Sequence, residues 1–263
     1  MKRHFIFALS LIMLLLAGCQ NSQNSLPADD TQAQLLTMTQ KQGFLQVDIQ
    51  DPWHGGKVLH TYLLVPRDST LPAHMPKGTV VRTPIKNALV YSEVHASLMR
   101  ELGGFDAVKG VTDANYYTDP QVLQLVKEGK IADCGNSMAP TIEKVIDMKP
   151  DAILLSPFQD ATYGQIEKLN IPIIECADYM EYSPLGRAEW MRFYGALLGK
   201  SATADSLYVA VTKRYRGITA KLASHQSATK SVLTEMVTRL SQRSSLVIAA
   251  WGAPWRQGCR CDD

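Results

Sequence analysis

Apolar and polar positions alternate along residues 44–66, where Phe44, Val47 and Ile49 precede Gly55-Gly56, and Val58, Leu59, Tyr62 and Leu64 follow. A period of two on each side of a glycine pair predicts two strands joined through a turn. Val80-Val81 and Ala88-Leu89-Val90 are short apolar runs separated by Pro84, and they predict two more strands. Over residues 92–102 the spacing becomes helical. Ser92 suits a cap, Val94, Leu98 and Leu102 share one face, and Gly103-Gly104 ends the run. Ala107-Val108 and Gly110-Val111-Thr112 predict a strand, residues 113–120 a loop with two tyrosines, and residues 121–128 a short helix stopped by Gly129.

The densest pattern is CGNSMAPTIEKVIDMKPDAILLSP, residues 134–157. Pro140 suits a first helical position, and Ile142, Val145 and Ile146 then fall on one face. Glu143, Lys144 and Asp147 point away from it. Lys149-Pro150-Asp151 stops the helix, because a residue before proline is pushed out of the α region. Residues 152–155, Ala-Ile-Leu-Leu, show no alternation, as a parallel strand covered on both faces requires. Residues 163–169 predict a crossover helix and residues 171–176 another strand. The regular alternation of strand and helix predicts an α/β fold with a doubly wound, mostly parallel sheet.

From Ser183-Pro184 the pattern changes to helix alone. One helix is predicted to Gly199 and a second from Ser201, with Ala204, Leu207, Val211, Tyr215, Ile218 and Leu222 in period. By periodicity alone these are equally two packing helices of one domain or a rigid spine. Residues 229–236 predict a strand. After the apolar run 245–250 the chain closes with two tryptophans and two spaced cysteines in no apolar period.

The spacing G-x4-P-x2-E-x5-K-P-D before an apolar strand, at Gly135, Pro140, Glu143 and Lys149-Pro150-Asp151, resembles the class III solute-binding proteins of ABC importers. Residues 106–119, DAVKGVTDANYYTD, are similar to that family's second βα unit, and the resemblance runs over residues 77–236. It implies a lobe at 43–182, a helical spine at 183–226, and a second α/β lobe beginning at 227. Little of that second lobe is in the chain, so residues 227–263 are expected to be its truncated start with an aberrant tail. The resemblance implies capture of an iron–siderophore, haem or cobalamin complex and delivery to an ABC permease and its ATPase. It implies no catalysis and no resident cofactor. Little hinge motion is expected of a continuous spine.

The amino terminus adds a location. Lys2-Arg3-His4, the apolar run 5–16 and Leu16-Ala17-Gly18-Cys19 resemble a lipoprotein signal with its lipidation box. Cys19 is then the lipidated residue, anchoring the protein to a membrane and facing the periplasm or cell exterior. Residues 20–42 are expected to be a flexible tether. Composition fits a globular core, with 46% apolar and 20% charged residues. A net charge of +2 with no clustered basic face gives no support to nucleic acid as a partner, and a monomer is expected.

Ligand-contacting residues of a binding protein on this fold belong at the carboxyl ends of parallel strands. The candidates are Tyr91, Glu93, His95, Tyr116, Tyr117, Ser137, Met138, Phe158 and Tyr179, with Tyr182 as a further wall. Aromatic rings with polar tips suit a large, partly apolar chelate or macrocycle. The resemblance assigns Glu143 to permease docking, while the helix dipole alone accounts for an acid in a first turn. His54, His60, His74 and His95 show no tight metal spacing, so no metal site is expected. The alternatives are a zinc or manganese receptor and a non-transport envelope scaffold. No G-x-S-x-G, Walker or G-x-G-x-x-G signature occurs, so no enzyme is expected. Cys134 and Cys176 are expected as two buried thiols.

Overall fold

The computed structural model describes residues 31–224. The expected export signal with Cys19, the strand expected at 229–236 and the closing tail lie outside the described residues. Four strands form the first sheet: β1 (Leu36–Lys41), β2 (Phe44–Gln50), β3 (Val58–Pro66) and β4 (Thr79–Thr83), in that order. The first three are antiparallel and β3 pairs β4 in parallel. The turn through Gly55-Gly56 joins β2 to β3 as expected. β1 occupies residues assigned above to a flexible tether. Its sequence, LTMTQK, is too polar to announce a strand, yet Leu36 is buried and all six residues pair with β2.

A second sheet follows, built from β5 (Ala88–Val90), β6 (Val108–Val111), β7 (Ala132–Asp133) and, after the small hairpin β8 (Gly135–Asn136) and β9 (Ala139–Pro140), β10 (Ala152–Leu155) and β11 (Ile173–Glu175). Its order is β11-β10-β5-β6-β7, and all its pairings are parallel. The fold is therefore the expected α/β sheet lobe followed by a helical spine, with an additional mixed sheet at its amino-terminal side. Order reverses between β5 and β10, which puts the topological switch point at their carboxyl ends.

Residue alternation in the short strands explains how both faces are covered. Ala88, Val90, Ala152, Leu154 and Ile174 belong to one core with α1 (Glu93–Glu101) and, further on, α5 (Met191–Leu198). Leu89, Ile153, Leu155 and half-buried Ile173 belong to the other, with Val145 of α3 (Ile142–Met148) and Ile166. Between them α2 (Pro120–Lys127) begins with Asp119, whose carboxylate accepts the Gln121 and Val122 amides at 2.8 and 3.3 Å. Ser92 caps α1 as expected, accepting from the Val94 amide at 3.2 Å.

Several local expectations are corrected. Pro140 pairs in the β8–β9 hairpin, and α3 starts after Thr141. Val94 and Ile146 are exposed, because a helix of nine or seven residues over a short sheet buries one narrow row. That row is His95, Ala96 and Met99 in α1 and Val145 in α3. Residues 164–169 form a tighter 3-10 helix.

Lys149 ends α3 in the left-handed region, with φ 49° and ψ 62°. A Cβ is strained there, which glycine avoids. Lys149→Gly is expected to raise the unfolding free energy by about 1 kcal/mol, after allowing for the freer glycine chain in the unfolded state. Urea denaturation checks this, with Lys149→Ala giving no gain.

The helix expected from 183 to 199 is two helices meeting at Trp190, α4 (Pro184–Glu189) and α5. Ser183 caps α4 through its hydroxyl, which accepts from the Gly186 amide at 2.9 Å. After Gly199 (φ 66°) the chain enters α6 (Ser201–Ser224). Gly195 lets α5 and α6 approach closely, since a Cβ there would stand 2.5 Å from that of Ala204. The buried row of α6 is Ala204, Tyr208 and Thr212, whereas Val211, Tyr215, Ile218 and Leu222 are exposed among the described residues. No helix among the described residues is long and apolar enough to cross a membrane.

Candidate functional site

The carboxyl ends of β5 and β10 open into a cleft of about 470 Å³. Tyr91 and Ser92 enter it directly after β5, and Leu155, Ser156 and Phe158 at the end of β10. The β8–β9 hairpin adds Ser137 and Met138 at its tip. Thr162, Tyr163, Gly164 and Ile166 close the far wall from the 3-10 helix and the turn before it.

The hairpin is held in place by backbone chemistry. Asp113 sits at φ 52° and its carboxylate accepts the Ser137 amide at 3.2 Å, while its own amide donates to the Gly135 carbonyl at 2.7 Å. The Asn136 side chain accepts from the Met138 amide at 2.8 Å. Met138, 78% exposed, is thereby presented at the rim.

Tyr91 is half-buried, and its hydroxyl is the one polar side-chain atom of the lining that is both buried and without a hydrogen-bond partner among the described residues. Burial, reinforced by Cys134 and Asp113 nearby, pushes its phenol up to about 12. Tyr163 is held differently. Its hydroxyl donates to Glu175 Oε1 at 2.7 Å, and burial followed by that carboxylate raises its phenol far above the ordinary value. Glu175 Oε2 lies 3.1 Å from His60 Nδ1, so the cleft wall is tied to the first sheet. Phe158 packs edge-on against Tyr163 with ring centres 6.4 Å apart.

Behind Ser156 runs a buried polar chain. Its Oγ is 3.3 Å from His95 Nε2, and His95 Nδ1 is 2.6 Å from the Tyr194 hydroxyl. His95 is 1% exposed, and burial depresses it to about 4, so it is a neutral imidazole near neutral pH. Cys176 lies near Tyr194, and its thiol donates to the Ile174 carbonyl at 3.7 Å. Cys134 and Cys176 are both free and buried.

Of the candidate ligand residues, Tyr91, Ser137, Met138 and Phe158 are brought together in the cleft. Glu93, His95 and Tyr117 have internal partners: Glu93 accepts the Thr118 and Asp119 amides at 3.0 and 2.7 Å, and the Tyr117 hydroxyl donates to the Val90 carbonyl at 3.4 Å. Tyr116 is 76% exposed and outside the lining. The Tyr179 hydroxyl donates to the Pro157 carbonyl, and Tyr182 is not in the lining. Glu143 stands exposed in the first turn of α3. Ser92 and Ser156 lie in strand-end loops expected to carry the site but were not singled out, and Thr162 and Tyr163 were missed. Ser156 carried a signal, being the first residue past an unalternated apolar strand. Among the described residues no group of three or more His, Cys, Asp or Glu side chains is placed to hold a metal ion.

Residues 90–243 match the family model described as periplasmic binding protein. The chain belongs to the periplasmic binding protein family. Within it, the class III branch indicated by the sequence motifs holds, and this is a non-catalytic class of solute-binding proteins. An uncharacterized lipoprotein of Methanocaldococcus jannaschii is 28% identical over 142 residues, 50% of this chain and 34% of the relative. A petrobactin-binding protein of Bacillus subtilis is 30% identical over 107 residues, 40% of this chain and 33% of the relative. Its solved structure overlays with a TM-score of 0.44 at 18% identity, covering 64% of this chain and 50% of that one. The chain spans about a third to a half of the length of the curated relatives it matches.

Proposed function

We propose that this protein is an extracytoplasmic lipoprotein receptor of an ABC importer, binding an iron–siderophore, haem or cobalamin complex in the cleft between β5 and β10. The observation that carries it is the aromatic and hydroxyl-lined cleft at the switch point of a sheet belonging to this family. Tyr91, Ser137, Met138 and Phe158 contact the ligand, and exposed Glu143 docks on the permease. Residues 1–19 carry the export signal and Cys19 takes the lipid, which fits an extracytoplasmic family and a lipoprotein relative. Calorimetric titration of the full chain from Cys19 onward with a ferric siderophore, haemin and cyanocobalamin tests the reading. Saturable one-to-one binding of at least one complex is expected, weakened by Met138→Asp at the rim. A folded, monomeric protein that takes up none of the three overturns it.

A further inference from the structure

The cleft has a charge character that narrows its ligand. None of the 11 described residues that line it is charged. Its polar groups are the hydroxyls of serine, threonine and tyrosine, and the rest of its side chains are aromatic, aliphatic or thioether. A polyanion placed there meets no cation to replace its lost hydration, and an unpaired buried charge is costly.

The second layer sharpens this. Glu175 stands behind Tyr163 at 2.7 Å, and Glu167 accepts the Tyr163 amide at 2.6 Å. Asp113 stands behind Ser137. Two histidines also stand behind the lining: His95, whose burial keeps it uncharged, and His60, 3.1 Å from Glu175 Oε2. On the hairpin side, Lys144 directs its ammonium to the Asp133 carbonyl at 2.7 Å. The lining is thus neutral and the groups immediately behind it are mainly carboxylates, a field that repels anions and tolerates neutral or weakly cationic surfaces.

We infer that this cleft selects an electroneutral metal complex that offers apolar edges and hydrogen-bonding carbonyl or amide groups, and discriminates against polyanionic chelates. Two kinds of complex share that chemistry: a ferric trihydroxamate, in which three monoanionic ligands cancel the iron charge, and an amide-rimmed corrinoid. A ferric tris-catecholate, with net charge 3−, is the disfavoured class. Tyr91 and Ser156 offer hydroxyls to the neutral ligand. The Tyr91 hydroxyl has no partner among the described residues, and the Ser156 hydroxyl lies 3.3 Å from His95 Nε2. The inference rests on the receptor reading above and specifies its ligand.

The test is equilibrium titration of the full chain from Cys19 onward with a neutral ferric trihydroxamate, cyanocobalamin and a ferric tris-catecholate, each at low and high salt. One neutral complex is expected to bind at least tenfold more tightly than the tris-catecholate, with little salt dependence, and the arm that binds tells hydroxamate from corrinoid. Thr162→Lys places a cation on an exposed lining residue where folding is not at risk. It is expected to improve tris-catecholate binding relative to the neutral complex by about tenfold. Tight tris-catecholate binding by the unaltered protein, weakening as salt rises, overturns the charge inference while leaving the receptor reading intact. No binding of any of the three probes by folded protein removes the receptor reading and this inference with it.

Discussion

Trp190→Ala is expected to lower the unfolding free energy by about 3–5 kcal/mol. Trp190 is fully buried at the joint of α4 and α5 and meets Phe193 edge-on, with ring centres 6.1 Å apart. Its indole N–H donates to Glu181 Oε1 at 2.9 Å. The same carboxylate accepts the Leu35 and Gln34 amides at 2.9 and 3.0 Å, so the indole shares a partner with the chain entering β1. Truncation leaves a large cavity and removes one of three donors from Glu181. Trp190→Phe keeps much of the volume and removes only the donor, for an expected loss of about 1–2 kcal/mol. Urea denaturation of both variants separates packing from the hydrogen bond. A loss below about 1 kcal/mol for the alanine variant would mean that the α4–α5 joint is not packed against the sheets as described.

Legibility in the sequence followed burial. β10 was readable because a strand covered on both faces has no polar positions, and residues 152–155 have none. The caps Ser92 and Ser183 were readable because capping is chemistry within three residues. β1 was not, since an edge strand of Thr and Gln has the composition of a linker and is fixed only by pairing with β2. Pro140 had two uses, a helix start or a hairpin end, and the partner that decides between them, Gly135, lies across the hairpin. Short helices misled in a different way: Val94 and Ile146 keep helical period but overhang the short strands.

For the site, the switch point located the loops but not the side chains. A tyrosine after a strand looks the same whether it faces a cleft, as Tyr91 does, or sends its hydroxyl to a carbonyl, as Tyr117 and Tyr179 do. The ties that set the cleft's wall are long-range. His60 and Glu175 are 115 residues apart, and no local pattern links them. The neutral lining was legible only once the lining was known.

Two buried groups give stability opposite pH dependences, and separating them is the second large expected effect. His95 is held near 4 by burial, against 6.5 for a free histidine. Between those values the unfolded chain binds more protons, so stability is full above pH 6.5 and lost as pH falls toward 4, by about 3 kcal/mol in all. Asp178 is raised to about 6 from 3.8, again by burial, with Arg187 at 3.6 Å opposing the shift and Glu181 adding to it. There the folded chain binds more protons, so stability is highest below 3.8 and lost as pH rises through 6, by a similar amount. Their contributions oppose each other across nearly the same window and largely cancel. Asp178→Asn should therefore expose the histidine, giving an unfolding free energy that climbs by about 3 kcal/mol from pH 4 to pH 6.5. His95→Gln, whatever its fixed cost from rearranging the Ser156 and Tyr194 bonds, should tilt the profile the other way. Urea unfolding across that range checks both slopes. Parallel profiles for the two variants would show that neither group titrates inside the fold as its burial requires.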